Sequence, residues 1–146
     1  MKLLPLCDDT PATVEPEATV ADAIQVMLER RVGAVGVVDT EFRVAGIFTE
    51  RDVLRKVALS GRDPASIRVA EVMTPAVEMA TNDTTPAEAL QVMVESHFRH
   101  LPIVDRNGRL LGMLSIRNLL EHKVDELAQQ LESLEQYVSN DDNIGG

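Results

Sequence analysis

Residues 19–57 read TVADAIQVMLERRVGAVGVVDTEFRVAGIFTERDVLRKV, and residues 85–123 repeat the pattern as TPAEALQVMVESHFRHLPIVDRNGRLLGMLSIRNLLEHK. The two stretches align without a gap at a spacing of 66 residues, with 13 identities in 39 positions. Most other pairs exchange similar residues, such as Ile24 for Leu90 and Thr49 for Ser115. Two copies do not suit an open solenoid, which needs at least three units. The repeat therefore predicts a closed, pseudo-twofold pair with the functional site in the cleft between its halves.

The bulk composition limits both the core and the partners. At 146 residues the chain fits one domain, or two small subdomains that share a core. Aromatic residues make up only 3% and Trp is absent, so Val, Ile, Leu, Ala and Met must build the core. The net charge of −10 would repel a polyanion, which argues against nucleic acid as a partner. A local cationic pocket for one small anion remains compatible with that charge.

The sequence gives no indication of a disulfide, a metal site or a membrane anchor. Cys7 is the only cysteine, and His97, His100 and His122 lack the partners that metal-ligand spacing requires. The first residues, Met1–Leu6, are too short and too weakly charged for a signal peptide, and no apolar run is long enough to cross a membrane. We expect a soluble, cytoplasmic protein.

Each repeat is expected to fold as β-α-β-β-α. The first helices begin at capping residues Thr19 and Thr85, the latter followed by Pro86 and Glu88, a typical helix start. Short apolar runs bounded by turn residues predict buried strands, and a second helix follows each strand pair, from Glu50 and from Ile116. The predicted strands are Ala12–Val14, Ala34–Val38 and Val44–Phe48 in the first copy, and Ala76–Met79, Leu101–Val104 and Leu110–Leu114 in the second.

The last helix continues beyond the second repeat. Within it, apolar residues recur at alternating spacings of four and three residues: Leu120, Val124, Leu127, Leu131, Leu134 and Val138. This pattern fits a helical pairing face, and it fits equally an amphipathic helix that lies back on its own domain. Residues Ser139–Gly146 are polar and predict a frayed, flexible tail.

The pattern that best indicates chemistry occurs where a strand meets a helix, in Gly46–Asp52 and Gly112–Asn118. Thr49 and Ser115 suit helix N-caps, with Asp52 at the third helical position. The same groups could also bind a ligand. A helix N-terminus favours an anion, a hydroxyl can donate to phosphate or ribose, and a carboxylate can accept from two ribose hydroxyls.

Several features together resemble a cystathionine-β-synthase (CBS) domain pair. They are the repeat order, the strand ends Val37-Val38-Asp39 and Ile103-Val104-Asp105, the segment Glu71–Pro75, and the Gly-x-x-Thr/Ser-x-x-Asp/Asn pattern. The resemblance covers about residues 6–124. It implies an α+β fold in which two β-α-β-β-α repeats (about 8–62 and 72–123, within a pair at 1–124) pack about a pseudo-twofold axis. Residues 125–146 would then be a helical extension with a flexible tail.

The resemblance also implies the binding residues. Thr49 and Asp52 match the phosphate-side hydroxyl and the ribose carboxylate, and Ser115 matches the second hydroxyl. Asn118 replaces the usual Asp by an uncharged acceptor. Arg99 and His100 match a basic pair that meets phosphate, whereas their first-copy counterparts, Gly33 and Ala34, cannot do so. The other implied contacts are Arg51 and, beside adenine, Thr13, Val14, Val77 and Glu78.

These assignments predict two unequal clefts. The cleft with Thr49 and Asp52 would hold ribose better, and the one with Ser115 and Asn118, together with Arg99, would hold phosphate better. We expect a regulatory sensor of AMP, ADP or ATP, with S-adenosylmethionine, NAD or a cyclic dinucleotide as other adenosine ligands. No nucleophile lies beside a base, so we do not expect an enzyme. The sensor would act on an unknown partner protein or as a homodimer; the alternative is a ligand-free adaptor dimer that works through its C-terminal helix.

Overall fold

The computed structural model describes residues 2–7, 10–75 and 78–145, and within them repeat one has the predicted β-α-β-β-α order, while repeat two has the order α-β-β-α with a single bridge in place of its first strand. Repeat one contains β1 (Thr13–Val14), α1 (Val20–Arg30), β2 (Ala34–Val38), β3 (Val44–Thr49) and α2 (Glu50–Asp52), which continues as a π-helical turn (Val53–Val57). The connection holds α3 (Val69–Val72) and β4 (Thr74–Pro75). Repeat two contains α4 (Pro86–Ser96), β5 (His100–Val104), β6 (Leu110–Ser115) and α5 (Ile116–Gly145). The fold is the predicted α+β arrangement with a long C-terminal helix.

The first helix of each repeat begins at the threonine that the sequence predicts. The Thr19 hydroxyl accepts from the Asp22 backbone amide at 3.1 Å, and the Asp22 carboxylate accepts from the Thr19 amide at 3.2 Å. Thr85 likewise accepts from the Glu88 amide at 3.1 Å. These bonds satisfy backbone donors that have no partner within the helix, and so they fix where each helix starts.

The strands of repeat one form a four-stranded sheet in the order β1-β2-β3-β4. Strand β1 is parallel to β2, and the pairs β2–β3 and β3–β4 are antiparallel. Strand β4 was not predicted from the sequence. It comes from the segment just before repeat two, and it places Thr74 opposite Ile47 at the edge of the first sheet.

In repeat two, β5 and β6 pair antiparallel, and a single parallel bridge joins Ala80 to Ile103. The strand predicted at Ala76–Met79 is wrong for Glu78 and Met79, which are not in a strand, while Ala76 and Val77 lie outside the described residues. Pro102 explains the difference from repeat one. It occupies the position of Gly36, whose amide donates to Ala12 at 2.9 Å, and proline has no amide hydrogen to donate.

The pseudo-twofold axis passes beside Arg43 and Arg109. These residues are 66 positions apart in the sequence and form an antiparallel bridge with each other. The flanking bonds obey the same symmetry, because Val44 donates to Gly108 and Leu110 donates to Phe42, both at 3.0 Å. Equivalent residues therefore meet each other, as in a dimer about a twofold axis.

The segment before each repeat packs on the other repeat. A Cβ added at Gly46 in β3 would lie 2.9 Å from Met73 Sδ, and one added at the equivalent Gly112 in β6 would lie 3.2 Å from Cys7 Sγ. Accordingly, the buried core of repeat one includes Ile67 and Val69, and that of repeat two includes Leu3. This exchange ties the two halves together and brings Thr74 to the edge of the first sheet.

The first helix of each repeat buries only a narrow apolar stripe. Helix α1 buries Ala23 and Met27, and α4 buries the equivalent residues Ala89 and Met93. Leu28 in α1 and Val94 in α4 are also equivalent to each other, and both are exposed.

Helix α5 is anchored at its start by Leu119, which is buried in the core of repeat two. From Leu127 to Ser139 every side chain is exposed, so α5 does not lie back on its own domain. The prediction of a frayed tail is wrong for the backbone of residues 139–145, which continues the helix, because propagation adds one hydrogen bond for each residue fixed. In the described part of the chain, no helix is both long and apolar enough to cross a membrane.

Candidate functional site

Two clefts lie between the repeats, and the 66-residue symmetry relates them. The Asp52 cleft, of about 390 Å³, lies between the β3–α2 junction of repeat one and the α4–β5 turn of repeat two. The Asn118 cleft, of about 680 Å³, lies between the β6–α5 junction and the α1–β2 turn. The Asp52 cleft is lined by Gly33, Ile47, Thr49, Glu50, Arg51, Asp52, Arg55, Lys56, Thr74, Ser96, His97, Phe98, Arg99 and His100. The Asn118 cleft is lined by Cys7, Thr10, Pro11, Ala12, Arg30, Arg31, Val32, Gly33, Ala34, His100, Met113, Ser115, Arg117 and Asn118.

Asp52 lies in the wall of its cleft with only 5% of its surface exposed. Its Oδ2 accepts from the Thr49 amide at 3.0 Å and from the Thr49 hydroxyl at 3.2 Å. Its Oδ1 accepts from the Thr74 hydroxyl at 2.9 Å and lies 3.1 Å from the Lys56 ammonium. A buried carboxylate requires such partners, and here they come from the last residue of β3, from the π-helical turn and from β4.

Asn118 has the same two contacts with Ser115 that Asp52 has with Thr49. Its Oδ1 accepts from the Ser115 amide at 2.9 Å and from the Ser115 hydroxyl at 2.8 Å, and only 9% of its surface is exposed. The capping roles predicted for Thr49 and Ser115 are therefore present in the same residues that line the clefts. Capping and ligand binding do not exclude each other here.

The charge pair of repeat one has no counterpart in repeat two. Asn118 replaces Asp52, and His122 replaces Lys56 at the equivalent position. His122 Nε2 instead lies 3.5 Å from the Glu126 carboxylate, one turn further along α5. Anion and cation are therefore replaced together between the two equivalent junctions.

Both clefts are rich in cations in a chain whose net charge is −10. The described lining of the Asn118 cleft holds three arginines, Arg30, Arg31 and Arg117, and no carboxylate. The lining of the Asp52 cleft holds four cations, Arg51, Arg55, Lys56 and Arg99, beside the carboxylates Glu50 and Asp52. Among the described lining residues, cations outnumber carboxylates in both clefts. An excess of one sign of charge in a low-dielectric cleft focuses the field, so it favours an anion there although the net charge of the chain is negative.

His100 lies between the clefts and lines both of them. Burial, and then the neighbouring Arg99 guanidinium, lower the pKa of His100 below its ordinary value of 6.5. The imidazole is therefore neutral near pH 7, where it can donate or accept a hydrogen bond but adds no charge. The two repeats are also tied across the Asp52 cleft, because Arg51 Nη1 donates to the His97 carbonyl at 3.3 Å.

The sequence matches the family profile for the CBS domain twice, over residues 6–59 and 69–125. The chain belongs to the CBS-domain family. Together the two matched segments cover most of the 146 residues, and they end near the start of the exposed part of α5.

Similar proteins share this architecture. A signal-transduction protein with CBS domains from Burkholderia ambifaria, described as putative, is 40% identical, with 80% of this chain and 84% of that chain covered and a TM-score of 0.74. An uncharacterized 17.7 kDa protein from Acidianus ambivalens is 43% identical over 77% of this chain. A CBS-domain protein from Pyrobaculum aerophilum, solved in complex with AMP, is 24% identical, with 81% and 89% covered and a TM-score of 0.74. The chain spans only 66% of the Acidianus protein's length, and less of several other curated relatives.

The structure regroups the predicted residues of this CBS pair. Arg99 lines the cleft that contains Asp52, not the one that contains Ser115 and Asn118 as the sequence analysis assumed. The reason is the pseudo-twofold arrangement, in which each cleft combines a strand–helix junction of one repeat with a helix–strand turn of the other. The predicted division into a ribose cleft and a phosphate cleft is therefore wrong in its grouping.

The remaining predicted residues differ in where they lie relative to the clefts. Thr13 and Val14 form β1, with Val14 in the core, and the cleft wall nearby is built from Pro11 and Ala12. Glu78 is half-buried and lines neither cleft. Val77 lies outside the described residues. Of the counterparts of the basic pair, Gly33 lines both clefts and Ala34 lines the Asn118 cleft.

The sequence analysis missed several polar lining residues: Arg55, Lys56 and Thr74 in the Asp52 cleft, and Arg30 and Arg31 in the Asn118 cleft. A signal was available for the arginines. Arg30 and Arg31 immediately precede the turn that the 66-residue repeat equates with the turn carrying Arg99. Arg30 and Arg31 were not predicted because the residues equivalent to Arg99 and His100 are Gly33 and Ala34, not these arginines.

Proposed function

We propose that this CBS-domain pair is a regulatory sensor that binds an adenine nucleotide, AMP, ADP or ATP, in its Asp52 cleft. One observation carries the proposal. A buried carboxylate in one repeat faces cationic side chains from both repeats across a single cleft. An acceptor next to cations suits a ligand that has neutral hydroxyl donors at one end and negative charge at the other. A nucleotide has this division between its ribose and its phosphates.

The ribose would bind at Asp52 by exchange. A carboxylate has about four lone-pair positions, and Thr49, Thr74 and Lys56 already supply four donors. A ribose hydroxyl must therefore replace one of them. Lys56 is the donor that can leave most easily, because its side chain is 39% exposed and sits on a flexible stem.

The phosphates would bind at the rim. Arg99 is exposed at the start of β5, and Arg55 lies in the wall contributed by repeat one. A Lys56 ammonium released from Asp52 could join them, so ribose binding would supply another phosphate ligand. Charge-assisted hydrogen bonds contribute about 1.5–3 kcal/mol each before ordering costs. Two or three of them make micromolar affinity reasonable.

Binding would act on the arrangement of the repeats. A nucleotide held by Asp52 on one side and Arg99 on the other prefers the arrangement in which both are within reach. Arg51 and the His97 carbonyl already bridge this cleft, and a bound phosphate would compete for the same guanidinium. The signal would be a change in the conformation of the pair or in its association with a second copy or another protein.

The fold neighbours support this class of ligand. The structure of the Pyrobaculum aerophilum CBS-domain protein contains AMP, so a closely similar fold accommodates an adenine nucleotide. S-adenosylmethionine, NAD and cyclic dinucleotides carry the same adenosine group and belong in the same screen.

Calorimetric titration tests the proposal. AMP, ADP, ATP and adenosine are titrated into the wild-type chain, Arg99→Ala and Arg106→Ala. Arg106 is an exposed arginine in the β5–β6 turn and lines neither cleft, so it is the matched control. We expect Arg99→Ala to weaken AMP binding about tenfold and to leave adenosine unchanged, since one charge-assisted bond to phosphate is lost. No binding of any of these ligands to the folded wild-type chain would refute the sensor.

A ligand-free adaptor dimer is the second candidate, and the exposed apolar residues of α5 favour it. Dimerisation unaffected by any nucleotide would support the adaptor. Dimerisation, or a thermal midpoint, that responds to AMP would support the sensor.

A further inference from the structure

Helix α5 carries an apolar stripe that the described residues of its own chain leave about half exposed. We call it the α5 seam, and its side chains are 50–64% exposed: Leu120, Val124, Leu127, Leu131, Leu134 and Val138. Most of the seam lies beyond residue 125, where the match to the CBS family ends. It is therefore a feature of this chain that the nucleotide clefts do not explain.

The residue types at alternate positions of the seam indicate how many helices would pair and in which orientation. The spacings assign Val124, Leu131 and Val138 to the a positions of a heptad, and Leu120, Leu127 and Leu134 to the d positions. Two of the three a residues, Val124 and Val138, are β-branched, and all three d residues are leucine, a combination that favours a parallel, two-stranded coiled coil. We propose that the α5 seam binds the α5 seam of a second copy in this parallel arrangement.

Charge separates the parallel from the antiparallel arrangement. An antiparallel pair that matches all six seam residues sets Leu120 against Val138, and it places Glu121 beside Glu135 at both ends. In the parallel pair the flanking neighbours are Lys123 with Ala128, and Gln130 with Glu135, and neither pair has like charges. The parallel arrangement also brings the two CBS pairs to the same end of the coiled coil.

The size of the seam fits a weak but specific contact. Each half-exposed aliphatic side chain offers on the order of 100 Å², so two copies would bury about 1,200 Å², the lower limit for stable interfaces. Residues 120–138 span about 28 Å of helix, which is short for a coiled coil on its own. We therefore expect dimerisation in the micromolar range, in addition to any contact between the domains.

Cross-linking tests orientation in the full-length chain. In a Cys7→Ser background, Leu127→Cys places one thiol at a seam d position, and Gln129→Cys places one on the opposite side of the helix as the control. Mild oxidation should link Leu127→Cys chains to each other at least tenfold faster than Gln129→Cys chains. Equal rates would overturn the seam. In a mixture of Leu127→Cys and Leu131→Cys chains, an antiparallel pair would set residue 127 of one chain against residue 131 of the other. If disulfides between the two variants form faster than disulfides between two chains of the same variant, the parallel orientation is overturned.

Sedimentation over a dilution series tests the contribution to affinity. Leu127→Glu/Leu131→Glu buries charges in the seam and should raise the dimer Kd at least 100-fold. Gln129→Glu/Gln136→Glu adds the same charge away from the seam and should change the Kd less than threefold. A monomeric wild-type chain at 100 μM, about a hundred times a micromolar Kd, would overturn the proposal, and so would an unchanged Kd in the seam variant. The inference concerns association alone, so it stands or fails separately from nucleotide binding.

Discussion

Replacing Asp52 by asparagine tests both the stability and the binding role of the charge in repeat one. The variant gives repeat one the residue that repeat two already has at the equivalent position, Asn118. The contacts of Asn118 therefore indicate which hydrogen bonds Asp52→Asn can retain. One asparagine oxygen can accept from the Thr49 amide and hydroxyl, as Asn118 does from Ser115. The bond from Thr74 to a charged acceptor and the ion pair with Lys56 are both lost.

The expected cost follows from those two contacts. A hydrogen bond to a buried carboxylate contributes about 1.5 kcal/mol or more. The ion pair adds up to about 1 kcal/mol after a discount for solvent screening, because the Lys56 side chain is 39% exposed. The free energy of unfolding should therefore fall by about 2–3 kcal/mol. For a chain of this size the thermal midpoint would fall by about 5–10 °C.

Asp22→Asn is the matched control. Asp22 occupies the same third position of a capping box, at the start of α1, but it is exposed and lines neither cleft. We expect its midpoint to change by less than about 2 °C, since an exposed cap bond contributes little once asparagine can still accept.

Differential scanning calorimetry with and without AMP is the assay. At a hundred times its Kd, AMP should stabilise the wild type and Asp22→Asn by about 2.7 kcal/mol. It should stabilise Asp52→Asn clearly less at the same concentration, because the ribose acceptor has lost its charge. A midpoint of Asp52→Asn within 2 °C of the wild type would refute the account of the buried charge, and an unchanged AMP response would refute the assigned ribose site.

Three further predictions concern the clefts and the packing of β4 on β3. Lys56→Met should weaken AMP binding and strengthen adenosine binding, because in the proposed exchange Lys56 competes with ribose for Asp52 and then binds the phosphate. The ratio of the adenosine Kd to the AMP Kd, measured by calorimetry, should fall about tenfold. A ratio equal to that of the wild type would contradict the exchange. The pKa of His100 is lowered in the folded state, so its contribution to stability is present above about pH 6.5 and is lost as the pH falls towards the folded-state pKa. Between pH 7 and pH 5, the free energy of unfolding, measured with denaturant, should therefore fall less for His100→Gln than for the wild type. An equal fall would contradict the lowered pKa. Gly46→Ala places a Cβ 2.6 Å from the Thr74 carbonyl oxygen and should lower the free energy of unfolding, measured with denaturant, by about 1–3 kcal/mol. Gly33→Ala is the control, because its Cβ would lie no closer than 3.5 Å to the Glu50 carboxyl, and it should lower the free energy of unfolding by less than about 1 kcal/mol. Equal losses in the two variants would rule out the clash.

Local patterns in the sequence were sufficient for most of the fold. Thr19 and Thr85 cap the helices that they were predicted to cap, and the apolar runs form the predicted strands. The missing information was non-local. Strand β4 consists of Thr74 and Pro75 alone, and two residues are too few to show the alternation of a strand in the sequence. It pairs with β3 because Gly46, which is distant in the sequence, has no side chain and leaves room for the Thr74 backbone.

Individual residues of the clefts could be predicted from the sequence, but their grouping could not. Thr49 and Asp52 line one cleft, and Ser115 and Asn118 line the other, as their motif indicated. Arg99 was assigned to the wrong cleft because sequence proximity places it near Ser115, whereas the pseudo-twofold axis brings it to Asp52. Lys56 was missed because its role depends on one turn of α2 and the π-helical turn, which place its ammonium 3.1 Å from Asp52.

The internal repeat acts as a comparison within one chain between what the fold requires and what it does not. Repeat two forms the same strand–helix junction with Ser115 and Asn118, so neither a carboxylate nor a lysine is needed to cap that helix. Capping alone therefore does not account for Asp52 and Lys56, nor for the bond that Thr74 adds to them. Burying an ion pair seldom stabilises a protein more than packing apolar side chains would. Its presence in only one of two equivalent junctions, in the cleft that also receives Arg99, is the pattern expected of a charge retained for binding.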